Sequence, residues 1–86
     1  MTDISFLDHA FDEYLSWIEL DMKKFKRINR IIKEIHRTPY EGLGKPEPLK
    51  HDLSGWWSRR IDDENRIVYR YRNGIIEILE CITHYT

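Results

Sequence analysis

Residues 39–48, Pro-Tyr-Glu-Gly-Leu-Gly-Lys-Pro-Glu-Pro, hold all three prolines and two of the four glycines of an 86-residue chain. Proline fixes φ and lacks the N–H that a helix or sheet ladder needs, so no regular element is expected to run through this stretch. It divides two kinds of pattern. Before it, apolar residues recur with a helical period; after it, they alternate with the period of a strand. A helical half followed by a strand half predicts an α+β fold: two N-terminal helices packed on a twisted antiparallel sheet of four to five strands. At this length the chain is expected to form one domain, residues 1–86, with a modest core.

In the helical half, Leu7, Phe11, Tyr14, Leu15 and Ile18 share one face of a helix, and Asp8 is placed to cap it. Asp21 breaks this helix and caps a second. There Phe25, Ile28, Ile31, Ile32 and Ile35 form an apolar stripe, while Lys23, Lys26, Arg27, Arg30, Lys33 and Arg37 form a basic ridge on the other side. Pro39 ends that helix near Arg37 or Thr38. In the strand half, Trp56–Ile61 and Arg66–Tyr71 alternate and are joined by the turn Asp62-Asp63-Glu64-Asn65. Ile67, Tyr69 and Tyr71 fall on one face, and Arg66, Val68 and Arg70 on the other. Asn73-Gly74 is a hairpin signal, and Ile75–Thr83 reads as the last strand. A short strand at Ile4–Phe6 could join the sheet's edge.

The net charge of −1 argues against a chain that holds nucleic acid by bulk charge alone. The total conceals a gradient. Residues 1–21 carry six acids and no Lys or Arg; residues 22–40 carry seven bases and only Glu34. Two readings are open: neighbouring helices of opposite charge that attract each other, or a basic helix that also faces a polyanion. A single cysteine, Cys81, rules out an internal disulfide framework and suits a reducing compartment. The acidic N-terminus does not resemble a signal peptide, and no run approaches the ~20 apolar residues of a membrane span. A cytoplasmic protein without a membrane partner is expected.

No glycine-rich phosphate loop precedes a helix, and the four histidines are scattered singly, so neither metal nor cofactor is expected. The unusual chemistry lies in Lys45-Pro46-Glu47-Pro48-Leu49-Lys50-His51. A carboxylate between two prolines is stiffly held, as a general base should be, with a cation and an imidazole three and four residues on. The alternative is a rigid surface loop with an ordinary glutamate. Arg59, Arg60, Arg66 and Arg70 lie on strands beside Trp56 and Trp57. They make either a platform for phosphate and stacked bases or a solvated polar face. His84, on the last strand, is an acid suited to neutral pH or a bystander. Metal-free RNA cleavage needs a base for the 2′-hydroxyl, an acid for the departing 5′-oxygen and cations around the phosphate; Glu, His and Arg supply these.

The run from Arg37 through Ile61, with Asn65-Arg-Ile-Val-Tyr69, the closing His84-Tyr85 and the helix at Asp12-Glu13-Tyr14-Leu15 and Trp17, closely resembles the YoeB (Txe/YoeB) toxins of the RelE superfamily. The resemblance implies a RelE-like fold and a ribosome-dependent endoribonuclease of a type II toxin–antitoxin module. Such a toxin cuts mRNA in the A site of the 30S subunit, beside the 16S RNA, and so inhibits translation. Its general base falls on Glu47, its transition-state arginine on Arg66 and its general acid on His84. Lys50, His51, Arg60 and Tyr85 fall on positions that hold phosphate or mRNA, and Arg59 is grouped with them from its strand. The implied products are a 2′,3′-cyclic or 3′-phosphate and a 5′-hydroxyl. The ridge of Lys23, Lys26, Arg27, Arg30 and Lys33 then faces the ribosome. The implied partners are a YefM/Phd-type antitoxin, whose acidic segment folds on the toxin, and a second copy of the chain. The rival readings are a gyrase-inhibiting relative and a non-catalytic co-repressor of the same fold.

Overall fold

The computed structural model describes residues 3–82. It begins with strand β1, Asp3–Phe6, followed by helices α1, Ala10–Leu20, and α2, Met22–Arg37. After the proline-rich stretch come β2, Glu47–Pro48, a single 3₁₀ turn at His51–Leu53, β3, Trp57–Arg60, β4, Arg66–Arg72, and β5, Ile75–Glu80. The strands form one sheet in the order β1-β5-β4-β3-β2, with the helices on one face. The sheet is mixed rather than wholly antiparallel. The segment at its edge, β1, runs parallel to β5, while the other pairs are antiparallel. The α1–α2 hairpin between β1 and the remaining strands supplies the crossover that a parallel pair needs. No described helix is both long and apolar enough to cross a membrane.

Helix α2 follows from its residues. The Asp21 carboxylate accepts from the backbone N–H of Lys23 and Lys24 at 3.0 and 3.4 Å, closing the first turn. Ile28, Ile31, Ile32 and Ile35 are buried, and the last turn closes at Thr38 one residue before Pro39. Helix α1 differs from expectation in two ways. Asp8 does not cap it: the helix starts after His9, Asp8 takes a left-handed φ of 51°, and the turn closes through Ala10 N–H to the Leu7 carbonyl. The inward face is also rotated. Ala10 and Trp17 are buried, with Tyr14 packed beside them, while Phe11, Leu15 and Ile18 are 49%, 41% and 41% exposed. Both sets satisfy helical spacing. The large indole decides between them, because its N–H reaches the Cys81 carbonyl at 3.0 Å inside the core.

In the sheet the predicted alternation holds. Ile67 and Tyr69 enter the core with Tyr71 packed against it, while Val68 is buried on the opposite face. A bulge separates Val68, opposite Glu80, from Tyr69, opposite Ile78. Asn73 and Gly74 both take positive φ, 54° and 75°, the two-residue turn that matches strand twist. In the acidic turn, Asp62 Oδ1 accepts from the N–H of Glu64 and Asn65 at 2.8 and 2.6 Å. The last strand ends at Glu80, short of the expected Thr83, which lies outside the described residues. The proline-rich stretch is not wholly irregular either: its end, Glu47–Pro48, pairs with Ser58 and Trp57. Proline is tolerated there because β2 is an edge strand.

Candidate active site

Sheet parity sets the candidate site. Glu47 lies opposite Ser58, and Arg60 lies opposite Arg66 two residues further along the ladder, so all four share the face turned away from the helices. A groove of about 430 Å³ runs over them, lined by Lys45, Glu47, Ser58, Arg60, Arg66 and the turn residues Asp62, Asp63 and Glu64. On the strands the Glu47 carboxylate thus shares the groove with Arg60 and Arg66, and Lys45 joins them from the segment before β2, with the acids of the 62–64 turn at the rim. The backbone holds this edge firmly. Leu49 N–H donates to the Trp56 carbonyl at 2.8 Å, and Arg60 N–H to the Gly44 carbonyl at 2.7 Å.

Asp62 at the rim is committed to the fold. Burial pushes its carboxyl up, but the Lys24 ammonium at 2.7 Å and the N–H groups of Glu64 and Asn65 outweigh that and hold it at about 2. Further along the open face, the Glu77 carboxylate receives Arg70 at 2.6 Å and Arg72 at 3.1 Å. The Arg70 bond chiefly holds Glu77 below the usual carboxylate range. The Arg70 guanidinium also stacks 4.3 Å from the centre of the Trp56 ring. Arg70 is therefore engaged within the sheet, away from the groove lining.

The predicted site residues divide as follows. Glu47, Arg60 and Arg66 come together in one groove. Lys50 and His51 are exposed on the 3₁₀ turn that follows, beyond the lining. Lys23, Lys26, Arg30 and Lys33 are exposed along α2, whereas Arg27 bends to the Arg60 carbonyl at 3.2 Å. His84 and Tyr85 lie outside the described residues.

Arg59 requires a correction. It does not face the open side: its side chain is 0% exposed and lies on the inner face with Trp57 and Ile67. Its guanidinium donates to Glu34 Oε1 at 2.9 Å, the Leu43 carbonyl at 3.3 Å, the Glu41 carbonyl at 2.9 Å, the Tyr69 hydroxyl at 3.1 Å and the Thr38 carbonyl. It is sealed from solvent. Conversely, Lys45 was missed as a site residue. No spacing rule offered it, since Lys45 takes a left-handed φ of 53° just before β2 and strand alternation does not reach it.

Residues 6–85 match the family model described as the YoeB-like toxin of bacterial type II toxin–antitoxin systems. The chain is similar to Toxin YoeB of Streptomyces coelicolor, 51% identical over 82 residues that cover 95% of this chain and 98% of the relative. Among solved structures, it is similar to the toxin in the heterotetrameric YoeB–YefM toxin–antitoxin complex from Staphylococcus aureus. There the TM-score is 0.90 at 42% identity over 99% of both chains. It is equally similar to the YoeB dimer from that organism, with a TM-score of 0.89 at 42% identity over 98% of both chains.

Proposed function

The chain belongs to the YoeB-like toxins of bacterial type II toxin–antitoxin systems, and on that premise we propose that it is a ribosome-dependent endoribonuclease cutting mRNA in the A site. The observation that carries this reading is the shared groove of Glu47 with Lys45, Arg60 and Arg66. A 2′-hydroxyl placed against Glu47 gives up its proton to the carboxylate as its oxygen attacks the adjacent phosphorus. Arg66, with Arg60 and Lys45, offsets the negative charge that gathers on the phosphorane oxygens, and Lys50 approaches from the following turn. The bond from phosphorus to the 5′-oxygen then breaks, and the leaving oxygen takes a proton from His84, the role implied by the family resemblance. The products are a 2′,3′-cyclic phosphate and a 5′-hydroxyl.

Charge placement supports dependence on the ribosome. Asp62, Asp63 and Glu64 stand at the rim of the groove and counter its three cations, so it gathers free RNA weakly. A ribosome that presents the phosphate in place supplies the missing effective concentration. The exposed Lys23, Lys26, Arg30 and Lys33 lie on the helical side of the sheet, away from the groove, so the molecule can meet mRNA and ribosomal RNA with different faces.

Primer extension on a translated message tests this reading: stops are expected within the A-site codon only when ribosomes are present. Equal cutting of naked RNA would overturn it. Reversing Lys26, Arg30 and Lys33 to Glu is expected to weaken ribosome binding roughly tenfold and flatten its salt dependence. Reversing Asp8, Asp12 and Glu19 to Lys is expected not to weaken it. Equal losses in a sedimentation assay would remove the role of the ridge.

A YefM/Phd-type antitoxin and a second copy of the chain complete the proposed partners. Co-expression of the antitoxin is expected to relieve growth arrest by the toxin, and persistent arrest would sink that pairing. For the second copy, the helical hairpin offers a banded surface. Phe11, Leu15, Ile18 and Met22 form an exposed stripe, with Asp12 and Glu19 along one side. Beyond the Tyr14–Phe25 ring contact on the other side lie Lys26 and Lys33. A two-fold axis along the stripe sets the acids of each copy against the bases of the other. Leu15→Glu with Ile18→Glu is expected to give a monomer by light scattering, and an unchanged dimer would exclude this surface.

A further inference from the structure

The Arg59 guanidinium spends all five of its N–H donors within the protein, and three of its acceptors are carbonyls of one segment, Thr38, Glu41 and Leu43. Its two side-chain acceptors hold the same segment. Glu34 Oε1 also accepts the Leu43 N–H at 2.5 Å, and the Tyr69 hydroxyl donates to the Pro39 carbonyl at 2.6 Å. The Leu43 N–H chiefly, with Arg59 adding to it against the opposing effect of burial, keeps the Glu34 carboxyl below its ordinary range, so this acceptor stays ionised at neutral pH. The backbone closes tightly over the cluster. A Cβ on Gly42 would fall 1.8 Å from the Glu34 carboxylate, and one on Gly44 would fall 2.9 Å from the Arg60 carbonyl. Residues 38–44 are thus wrapped around one buried cation.

That segment delivers Glu47. After Gly44, whose carbonyl is held by Arg60 N–H, only Lys45 and Pro46 intervene, and Pro46 restricts the backbone between them. The strand that receives Glu47 is two residues long and on the sheet's edge, too short to set the carboxylate's place by itself. We propose that Arg59 is a positioning residue for the base. It fixes the 38–44 segment so that Glu47 shares the groove with Arg60 and Arg66, and it does so without touching RNA. This rests on the reading of Glu47 as the base. An arginine is needed because one planar group must meet acceptors on several sides, whereas a lysine ammonium carries three donors on a single nitrogen.

The test is single-turnover cleavage on ribosomes, with ribosome affinity and thermal unfolding measured on the same variants. Arg59→Lys is expected to cut about 100-fold more slowly, as a displacement of about 1 Å at the reacting groups does, with affinity for the ribosome unchanged within twofold. Tyr69→Phe, which removes both the acceptor of Arg59 Nε–H and the donor to the Pro39 carbonyl, is expected to lose several-fold. The distinguishing readout is non-additivity. In a Glu47→Gln background, Arg59→Lys is expected to cost nothing further, because the group it positions is gone; in an Arg66→Lys background the losses should multiply. Wild-type cleavage by folded Arg59→Lys overturns the proposal, as do losses that multiply with Glu47→Gln. If Arg59→Lys does not fold, Tyr69→Phe and Glu34→Gln carry the same cycle under the same criterion. A Glu47→Gln variant that cuts normally removes the base assignment and the positioning role together. A slow Glu47→Gln whose loss multiplies with that of Arg59→Lys removes the positioning role alone.

Discussion

Glu47→Gln is expected to slow single-turnover cleavage of A-site mRNA by about 10²–10⁴-fold, the usual contribution of a positioned general base. Its affinity for the ribosome should stay within about twofold. The substitution keeps side-chain size and polarity and removes only the ability to take a proton. Glu47 is exposed, and its backbone pairing with Ser58 does not involve the carboxylate, so the change should alter unfolding free energy by no more than about 0.5 kcal/mol. Glu41 is the matched control. It is an exposed acid in the same segment whose carbonyl, not its carboxylate, is held by Arg59. Glu41→Gln is expected to cut at the wild-type rate. Equal rates for wild type and Glu47→Gln would leave the cations of the groove without a base, and the proposed chemistry would fail.

Much of this arrangement can be read from residue order, and the exceptions have physical causes. Helix α2 was legible because Asp21, the four buried isoleucines and Pro39 all mark the same boundaries and face. Helix α1 carries two apolar series of equal spacing, Phe11-Leu15-Ile18 and Ala10-Tyr14-Trp17. Which one turns inward depends on a hydrogen bond to Cys81, 64 residues away, that no local pattern contains. The parallel pairing of β1 with β5 is equally non-local. In the site, Glu47 stood out because prolines flank it, and Arg66 through the family resemblance.

Arg59 was misread although its alternation was informative. It shares parity with Trp57 and Ile61, whereas Arg60 shares it with Trp56 and Ser58. Burial of an arginine is costly without partners, so the inward register holds one only where acceptors surround it. The partner was in view as Glu34, the single acid among seven bases in residues 22–40. Lone charges of the wrong sign within a charged run are therefore worth pairing with inward-register charges elsewhere.

Trp17→Ala is expected to cost about 3–5 kcal/mol of unfolding free energy, the range for removing a buried aromatic side chain. For a domain of this size that lowers the Tm by more than about 10 °C. The indole is 5% exposed in the core between α1 and the end of β5, and its N–H is the donor to the Cys81 carbonyl. One turn earlier, Glu13 Oε1 accepts the N–H groups of Cys81 and Ile82 at 2.8 and 3.0 Å, so the same face of α1 clasps the chain just after β5. Trp17→Phe keeps most of the apolar contact but leaves the Cys81 carbonyl unpaired in a buried setting. It is expected to cost about 1–3 kcal/mol. Leu15→Ala, on the exposed stripe, is expected to cost less than about 1 kcal/mol in urea titrations of protein dilute enough that copies do not pair. The order of these three values tests which face of α1 is inward. A Leu15 cost above that of Trp17 would restore the face drawn from spacing alone and contradict the clasp on Cys81. The clasp also has a consequence for cleavage. It holds the chain three residues before His84, the proposed acid, so Trp17→Phe should slow cleavage even at temperatures where the protein is fully folded. A folded Trp17→Phe variant that cuts at the wild-type rate would show that the acid is placed independently of α1.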